Sequence, residues 1–536
     1  MQYGYTVFVR EKGRNGIDMK NTARTVGVVF IIMLLSRFLS LGSMIKYTTY
    51  FGRSGTEINI YSFAILMPNI VFTIFGTALS TVVIPIFAGS IDSGNKERAF
   101  KFADNVISLS LLLTAGLSVI GIVMAPLFTL LTEFRTEGYD FAVLALRIMF
   151  PVMIFFALNY ILQGILQSLG KFNMPAIVSV PSSLIVLGYV FFLAPKYGVK
   201  GLLIATFIGL STQALILIPP VFKTEYRYKP SFDYKNEDIK KAVKLMIPVM
   251  LGASAYQFNM FFNVTLTANM EKMVTIFSIV QNLVMYAVLA FIYSITAVVF
   301  PKFTMLASRG DMEGFKSSLT GVLTTVIYFM VPSTMGFILV RKELINLLVG
   351  WGKITPGDVS VAASILGLYA LGIMGVGIKE VTDRAFYSLK DTRRPAIIGV
   401  VIMIVNIAAS VILIKVIGPY GIPLGNSISM LTGAFILLLL IRKKIGAIGG
   451  FMLVKSSAKI VASSLVMALV VAPLTVLVNR YSFGAELPDR FIKLFIPAIT
   501  GALVYFAVTY LLKLNESVEV LNSIKTKLVL RNRMRV

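Results

Sequence analysis

Apolar residues in this chain fall in long runs with few charges, among them Val28–Leu35, Val106–Leu131, Ile397–Ile414 and Leu494–Leu512. A bilayer core about 30 Å thick is crossed by roughly 20 helical residues, so runs of this length predict membrane-spanning helices. The pattern predicts spans at 25–45, 60–86, 105–131, 141–168, 174–194, 199–221, 242–266, 274–300, 318–340, 359–389, 395–416, 422–441, 458–478 and 491–512. These fourteen helices define an all-α polytopic membrane protein. Ten-residue alternating segments, the mark of a membrane β-barrel, do not occur.

Polar stretches divide the runs. The longest connector, 222–241, separates spans six and seven and reads as a basic linker between two lobes. The organisation expected is a tail at 1–24, a first lobe at 25–221, the linker, a second lobe at 242–441, a helix pair at 442–512 and a basic tail at 513–536. Internal repetition supports two related lobes. Thr81-Val-Val-Ile-Pro85 matches Ala297-Val-Val-Phe-Pro301, with Gly94-Asn-Lys-Glu97 and Gly310-Asp-Met-Glu313 following at the same offset. Ser168-Leu-Gly-Lys-Phe-Asn-Met-Pro-Ala176 matches Ser388-Leu-Lys-Asp-Thr-Arg-Arg-Pro-Ala396, and Lys196-Tyr-Gly-Val199 matches Pro419-Tyr-Gly-Ile422. Six spans per copy is an even number, so the lobes share orientation about an axis along the membrane normal.

Composition sharpens the class. Hydrophobic residues make up 57% and charged residues 14%, against about 25% charged in soluble domains. Net charge is +25, which raises nucleic acid as a partner, but the basic residues sit in the loops. That placement is the positive-inside pattern, with added attraction to anionic membrane lipids. Arg10, Lys12, Arg14, Lys20 and Arg24 precede the first span, and seven basic residues lie between Lys223 and Lys244. Arg442-Lys443-Lys444 and the terminal Arg531, Arg533 and Arg535 follow the same side, while Lys272 and Lys415 stand alone on the other. Both termini are therefore expected in the cytoplasm. The first run lacks a small-residue cleavage site and reads as a retained helix.

Several absences narrow the chemistry. There is no cysteine or histidine, which removes thiol nucleophiles, disulfides and the usual zinc sites. No G-x-x-x-x-G-K-[ST] loop occurs, and no acidic residue lies mid-membrane in the first six spans. With neither a catalytic constellation nor a cofactor motif, a transporter remains.

Intramembrane polar residues mark where its cargo would pass. Arg37 lies near the middle of span one beside a stripe of Ser36, Ser40, Ser43 and Tyr47, and span seven carries Tyr256, Asn259, Asn263 and Thr267 on one face. Two such stripes line either a hydrated cleft or a polar ladder that holds helices together. Arg147 in span four is either a cavity cation or a residue snorkelling to the surface. Asn69 follows Pro68 in span two, and Asn282 lies in span eight; here a bend for gating and plain packing both fit. At the end of span ten, Lys379–Asp383 and Glu380–Arg384 are spaced for i,i+4 pairs, forming either a solvated helix end or a cytoplasmic gate.

The motifs Ser36-Arg37-Phe38-Leu39, Met67-Pro68-Asn69, Val298-Val-Phe-Pro-Lys302 with Gly310-Asp311, and Arg384-Ala-Phe-Tyr-Ser-Leu-Lys-Asp-Thr-Arg-Arg-Pro395 resemble the MurJ (MviN) lipid II flippase family of the multidrug/oligosaccharidyl-lipid/polysaccharide exporter superfamily. The resemblance runs from about residue 22 to 512. It implies a monomeric flippase of the bacterial cytoplasmic membrane that moves undecaprenyl-diphosphate-linked peptidoglycan precursor to the outer leaflet by alternating access. It also implies a cationic central cavity, with Arg37 on the diphosphate, and a coupling ion or the membrane potential as driving force. At positions of the family's other cavity arginines this sequence carries Ser43, Phe72 and Asn282, with Lys46 one turn beyond Ser43. That departure leaves two other cargoes open, a different lipid-linked polysaccharide or teichoic-type unit and a small-molecule substrate of a MATE-like antiporter.

Overall fold

A computed structural model describes residues 39–40, 42–52, 55–169, 171, 173–270 and 273–518. Arg37 and most of both tails lie outside these residues. Helices dominate, and no strand occurs among the described residues. In chain order they are α1 (42–51), α2 (Thr56–Ala78), α3 (Ile84–Asp92), α4 (Lys96–Leu130), α5 (Tyr139–Met149), α6 (Val152–Ser168), α7 (Val180–Gly188) and α8 (Ala194–Leu215). After the linker come α9 (Glu237–Ala268), α10 (Val274–Ser308), α11 (Met312–Leu339), α12 (Arg341–Val349), α13 (Pro356–Ala370), α14 (Ile373–Ser388), α15 (Arg393–Ile417), α16 (Gly421–Ile445), α17 (Gly450–Asn479) and α18 (Glu486–Leu511). One-turn π-helical segments interrupt the chain at Leu79–Val83 and Tyr189–Leu193.

Among the described residues, nine helical stretches are long and apolar enough to cross a bilayer, or ten if the bent pair Glu237–Leu251 and Ala253–Ala268 is one span. The pair meets at 43°, and residue 252 between them is a glycine. Two of the nine, Met174–Phe222 and Arg393–Ile445, hold 49 and 53 residues. A straight helix of that length would reach about 75 Å, far more than a bilayer core. Each instead breaks at a glycine: Gly198 (φ 59°, ψ −150°) and Gly418 (φ 61°, ψ −138°) occupy a region closed to residues with a Cβ.

These turns correct the register of the sequence repeat. The match of Lys196–Val199 to Pro419–Ile422 equates Gly198 with Gly421, yet the turn glycine of the second copy is Gly418. Gly421 serves another purpose, because a Cβ there would lie 2.4 Å from the Ile414 nitrogen and 2.6 Å from the Leu413 carbonyl carbon. Gly201 has the matching role, its Cβ position lying 2.2 Å from the Tyr189 hydroxyl. The repeated unit is therefore a turn glycine followed three residues later by a close-approach glycine. The earlier repeat has a similar local basis. Gly94 and Gly310 take positive φ, and Asn95 and Asp311 then cap α4 and α11 by accepting from the amides of Arg98 and Gly314. Gly421→Leu is expected to force α15 and α16 apart, since its neighbours are backbone atoms that cannot swing away. The loss of stability should exceed the roughly 1–3 kcal/mol typical of overpacking, read as a lower melting temperature of purified protein.

The chain forms two compact units, Met1–Ile276 and Phe277–Val536. Residues 222–241 lie in the first, where they are laid along α4. Tyr226 donates to Asp104 at 2.7 Å, as does the Lys229 amide at 3.0 Å. The Ser231 hydroxyl and the Asp233 amide both donate to Asn105 Oδ1, at 2.8 and 2.7 Å. Burial, reinforced by the bond to Asp104, pushes the Tyr226 phenol far above its ordinary value and keeps it a donor. Arg98 completes the strap with a two-point pair to Asp238 in the first turn of α9, at 2.7 and 2.6 Å. The helix α9 packs in turn on α2.

Candidate functional site

In the first unit the polar stripe of α9 is largely buried. Asn259 and Asn263 lie one turn apart, and the Oδ1 atom of each is buried without a hydrogen-bond donor. Thr267, one turn further, bonds the Asn263 carbonyl within the helix. An orphaned buried acceptor costs about 1–3 kcal/mol, so each of these two oxygens calls for a donor that the described residues do not supply. Beyond Thr267 the chain turns into α10 and is tied to α2. The Thr275 amide donates to Asn59 Oδ1 at 3.2 Å, and the Thr275 and Ser62 hydroxyls meet at 3.1 Å.

The remaining candidates of the first unit are dispersed. Ser40 meets Ser183 of α7 at 3.0 Å, and Ser43 is buried with its hydroxyl returned to the Ser40 carbonyl at 2.9 Å. The Lys46 ammonium lies 4.7 Å from the centre of the Phe191 ring, within the π-helical segment after α7. Ser40 and Lys46 therefore both reach α7 or the segment that directly follows it. Asn69 is exposed on α2 and begins a ladder, with Thr73 donating to its carbonyl at 2.6 Å and Thr77 to the Thr73 carbonyl at 2.7 Å. Arg147 is exposed in the last turn of α5, where a cation suits the helix dipole.

The position that resembles the family's span-two arginine is apolar in its surroundings as well as its identity. Phe72 is 2% exposed, and its ring packs on Phe156 and Tyr160, each at 5.4 Å, and on Phe75 at 6.2 Å. Gly76 lies directly under it, its Cβ position 2.7 Å from the ring.

In the second unit, Asn282 is half-buried and donates to the Ser278 carbonyl at 2.8 Å. The charged cluster of α14 forms both pairs that its spacing allows, Lys379 to Asp383 at 2.7 Å and Arg384 to Glu380 at 3.7 Å. A solvated helix end does not describe it. Asp383 is only 5% exposed, and neither its Oδ1 nor Arg384 Nε has a partner. The Arg384 guanidinium lies 5.9 Å from the ring centres of Phe300 and Tyr387.

Asp391, at the following turn, stands in the Arg384–Pro395 motif, but no role for it was read from the sequence. Lys390 takes a positive φ of 57°, and Asp391 then receives Lys444 at 2.7 Å and Arg394 at 3.3 Å, which joins the α14–α15 turn to the end of α16. Partial burial pushes this carboxyl up, but bonds from Lys444 and the Arg394 amide outweigh it and hold the group below the usual range. The strap residues Asp104 and Asn105 were also missed; the only signal was two adjacent polar residues, with Ser108 one turn on, at the start of the apolar run Val106–Leu131.

The fold is that of the transporters to which the superfamily resemblance points. It matches "Lipid II flippase MurJ, inward closed conformation" with a TM-score of 0.76 at 24% identity, over 90% of this chain and 98% of that one. It also matches an inward-facing multidrug resistance MATE family transporter of the MOP superfamily with a TM-score of 0.62 at 17% identity, over 78% and 99%. The family model described as "Lipid II flippase MurJ" matches residues 47–506, and the chain belongs to the MurJ family. Relatives include the "Probable lipid II flippase MurJ" of Bdellovibrio bacteriovorus, 24% identical over 92% of this chain and 95% of its own length. The "Lipid II flippase MurJ" of Burkholderia cenocepacia is 22% identical over 79% and 84%.

Proposed function

We propose that this protein is a lipid II flippase, carrying undecaprenyl-diphosphate-linked peptidoglycan precursor from the inner to the outer leaflet of the bacterial cytoplasmic membrane. The observation that carries this reading is membership of the MurJ family over residues 47–506. A multi-pass helical chain without a catalytic constellation suits movement of a cargo rather than its chemical change. In this reading the chain is a monomer that crosses the membrane fourteen times, as two six-helix repeats and a final helix pair, with both termini cytoplasmic. The loop charges support that orientation. Arg37 binds the diphosphate, a group that a guanidinium matches two bonds at a time. Sugar and peptide donors of the headgroup satisfy the free oxygens of Asn259 and Asn263. The α14 pairs form a gate that breaks as the cytoplasmic side opens, and the membrane potential or an ion gradient drives the cycle.

The test is complementation of a strain depleted of its own MurJ. The wild-type gene is expected to restore growth, and Arg37→Ala is expected to abolish rescue at unchanged protein level. Failure of the wild type would reject lipid II as cargo. Normal rescue by Arg37→Ala would remove that residue from the site. The buried Phe72 cluster favours one second reading, a lipid-linked glycan with a different headgroup, because a position that resembles a cavity arginine carries no charge here.

A further inference from the structure

Where α11, α17 and the end of α18 meet, the second unit forms an open cavity of about 490 Å³. Four lysines line it, Lys316, Lys455, Lys459 and Lys513, against two glutamates, Glu313 and Glu516. Lys316 is engaged by Glu313 at 2.7 Å, and Lys459 donates to the Leu512 carbonyl at 2.8 Å. Lys455 and Lys513 are exposed and make no ion pair among the described residues. Lys513 is held at a φ of 52°, a conformation uncommon for a residue with a Cβ, as the chain turns back after α18. The cavity also lies at the edge of an apolar surface. Val454, next to Lys455, is 66% exposed, and Leu511, two residues before Lys513, is 76% exposed. Exposed apolar side chains on a membrane helix face lipid. Two unpaired ammonium groups thus open beside an exposed apolar surface of the kind that faces lipid.

We propose that this cavity binds a phosphate-bearing anion, either the headgroup of an anionic phospholipid or free phosphate. The inference does not rest on lipid II as cargo. It assigns the cavity to a ligand that stays bound while cargo passes, and it locates on named residues the attraction to anionic lipid that the net charge implies. Lysine suits this task as a strongly hydrated point charge able to meet a phosphate without fixed geometry.

The experiment uses the full chain purified in detergent, with bound lipid counted by native mass spectrometry. Phosphatidylglycerol is expected to be retained in preference to phosphatidylcholine. Lys455→Gln and Lys513→Gln are each expected to weaken that binding about fivefold, as expected for loss of one basic residue near an anionic surface. Lys443→Gln, an exposed lysine at the end of α16 that does not line the cavity, is expected to change nothing. Inorganic phosphate added to lipid-free protein separates the two sources. A rise in melting temperature that the double variant Lys455→Gln/Lys513→Gln abolishes assigns the site to free phosphate, and no rise assigns it to the lipid headgroup. Equal response of wild type and double variant to both probes would overturn the site, as would equal weakening by Lys443→Gln.

Discussion

Asp383→Ala is expected to lower the stability of the protein by about 3–5 kcal/mol, the scale for removing one partner of a buried ion pair. Asp383 is 5% exposed, and its Oδ2 is the 2.7 Å acceptor of Lys379. Truncation would strand the Lys379 ammonium, because Glu380 already faces Arg384 at 3.7 Å. The measurement is the fraction folded after heating in detergent. The informative companion is Lys379→Met/Asp383→Leu, which removes both charges and keeps side-chain volume. Replacing a buried pair by apolar residues is often neutral or stabilising, so the double variant is expected to recover the melting temperature. It is not expected to restore growth in the depleted strain if the pair works as a gate. An uncharged gate has no pair to break as the cytoplasmic side opens, and the conformational equilibrium loses a bias that favours closure. Recovery of both stability and growth would leave the pair a structural feature of α14 and end the gate proposal.

That pair marks the boundary of what sequence makes legible. Charged residues four apart on a helix must share a face, so both α14 pairs could be read directly. Their burial could not, since it depends on what packs over the face. The helical class was equally open to reading, because lipid leaves a chain no other way to satisfy its backbone except a closed barrel. Repeat register was less secure. A tyrosine-glycine pair recurs at 197–198 and 420–421, but backbone conformation selects Gly198 and Gly418 as partners, and sequence identity cannot distinguish a turn glycine from a close-approach glycine. The attachment of the linker was not legible for a related reason. Its basic residues mark it as a linker, but its contacts are made by Tyr226, Ser231 and the backbone amides of Lys229 and Asp233, groups that carry no pattern along the chain.

Phe72→Arg is expected to be among the most damaging single substitutions, although it would move the sequence toward the arginine pattern its family resemblance implies. An arginine at residue 72 would replace a ring that contacts Phe75, Phe156 and Tyr160, and removal of such a ring alone costs about 3–5 kcal/mol. It would also bring a guanidinium into a cluster with no acidic member, over Gly76, where a charge has neither water nor partner. Little folded protein is expected by size-exclusion chromatography. Phe72→Leu keeps the site apolar and is expected to stay folded and to rescue growth. If Phe72→Arg instead folds and rescues, this face of α2 opens to cargo and the aromatic cluster is not a closed element of the first unit. The expected failure carries a functional consequence. With Phe72 sealed among rings and Lys46 held over Phe191, α2 supplies no cation at this position and Lys46 is turned toward α7, so under the proposed function Arg37 is left as the chief contact for the diphosphate. A flippase with one such arginine should bind the headgroup with weaker salt dependence than a relative with several, since each arginine fewer means one less charge interaction for salt to screen. Titrating purified wild-type protein with lipid II across a range of ionic strength measures that slope.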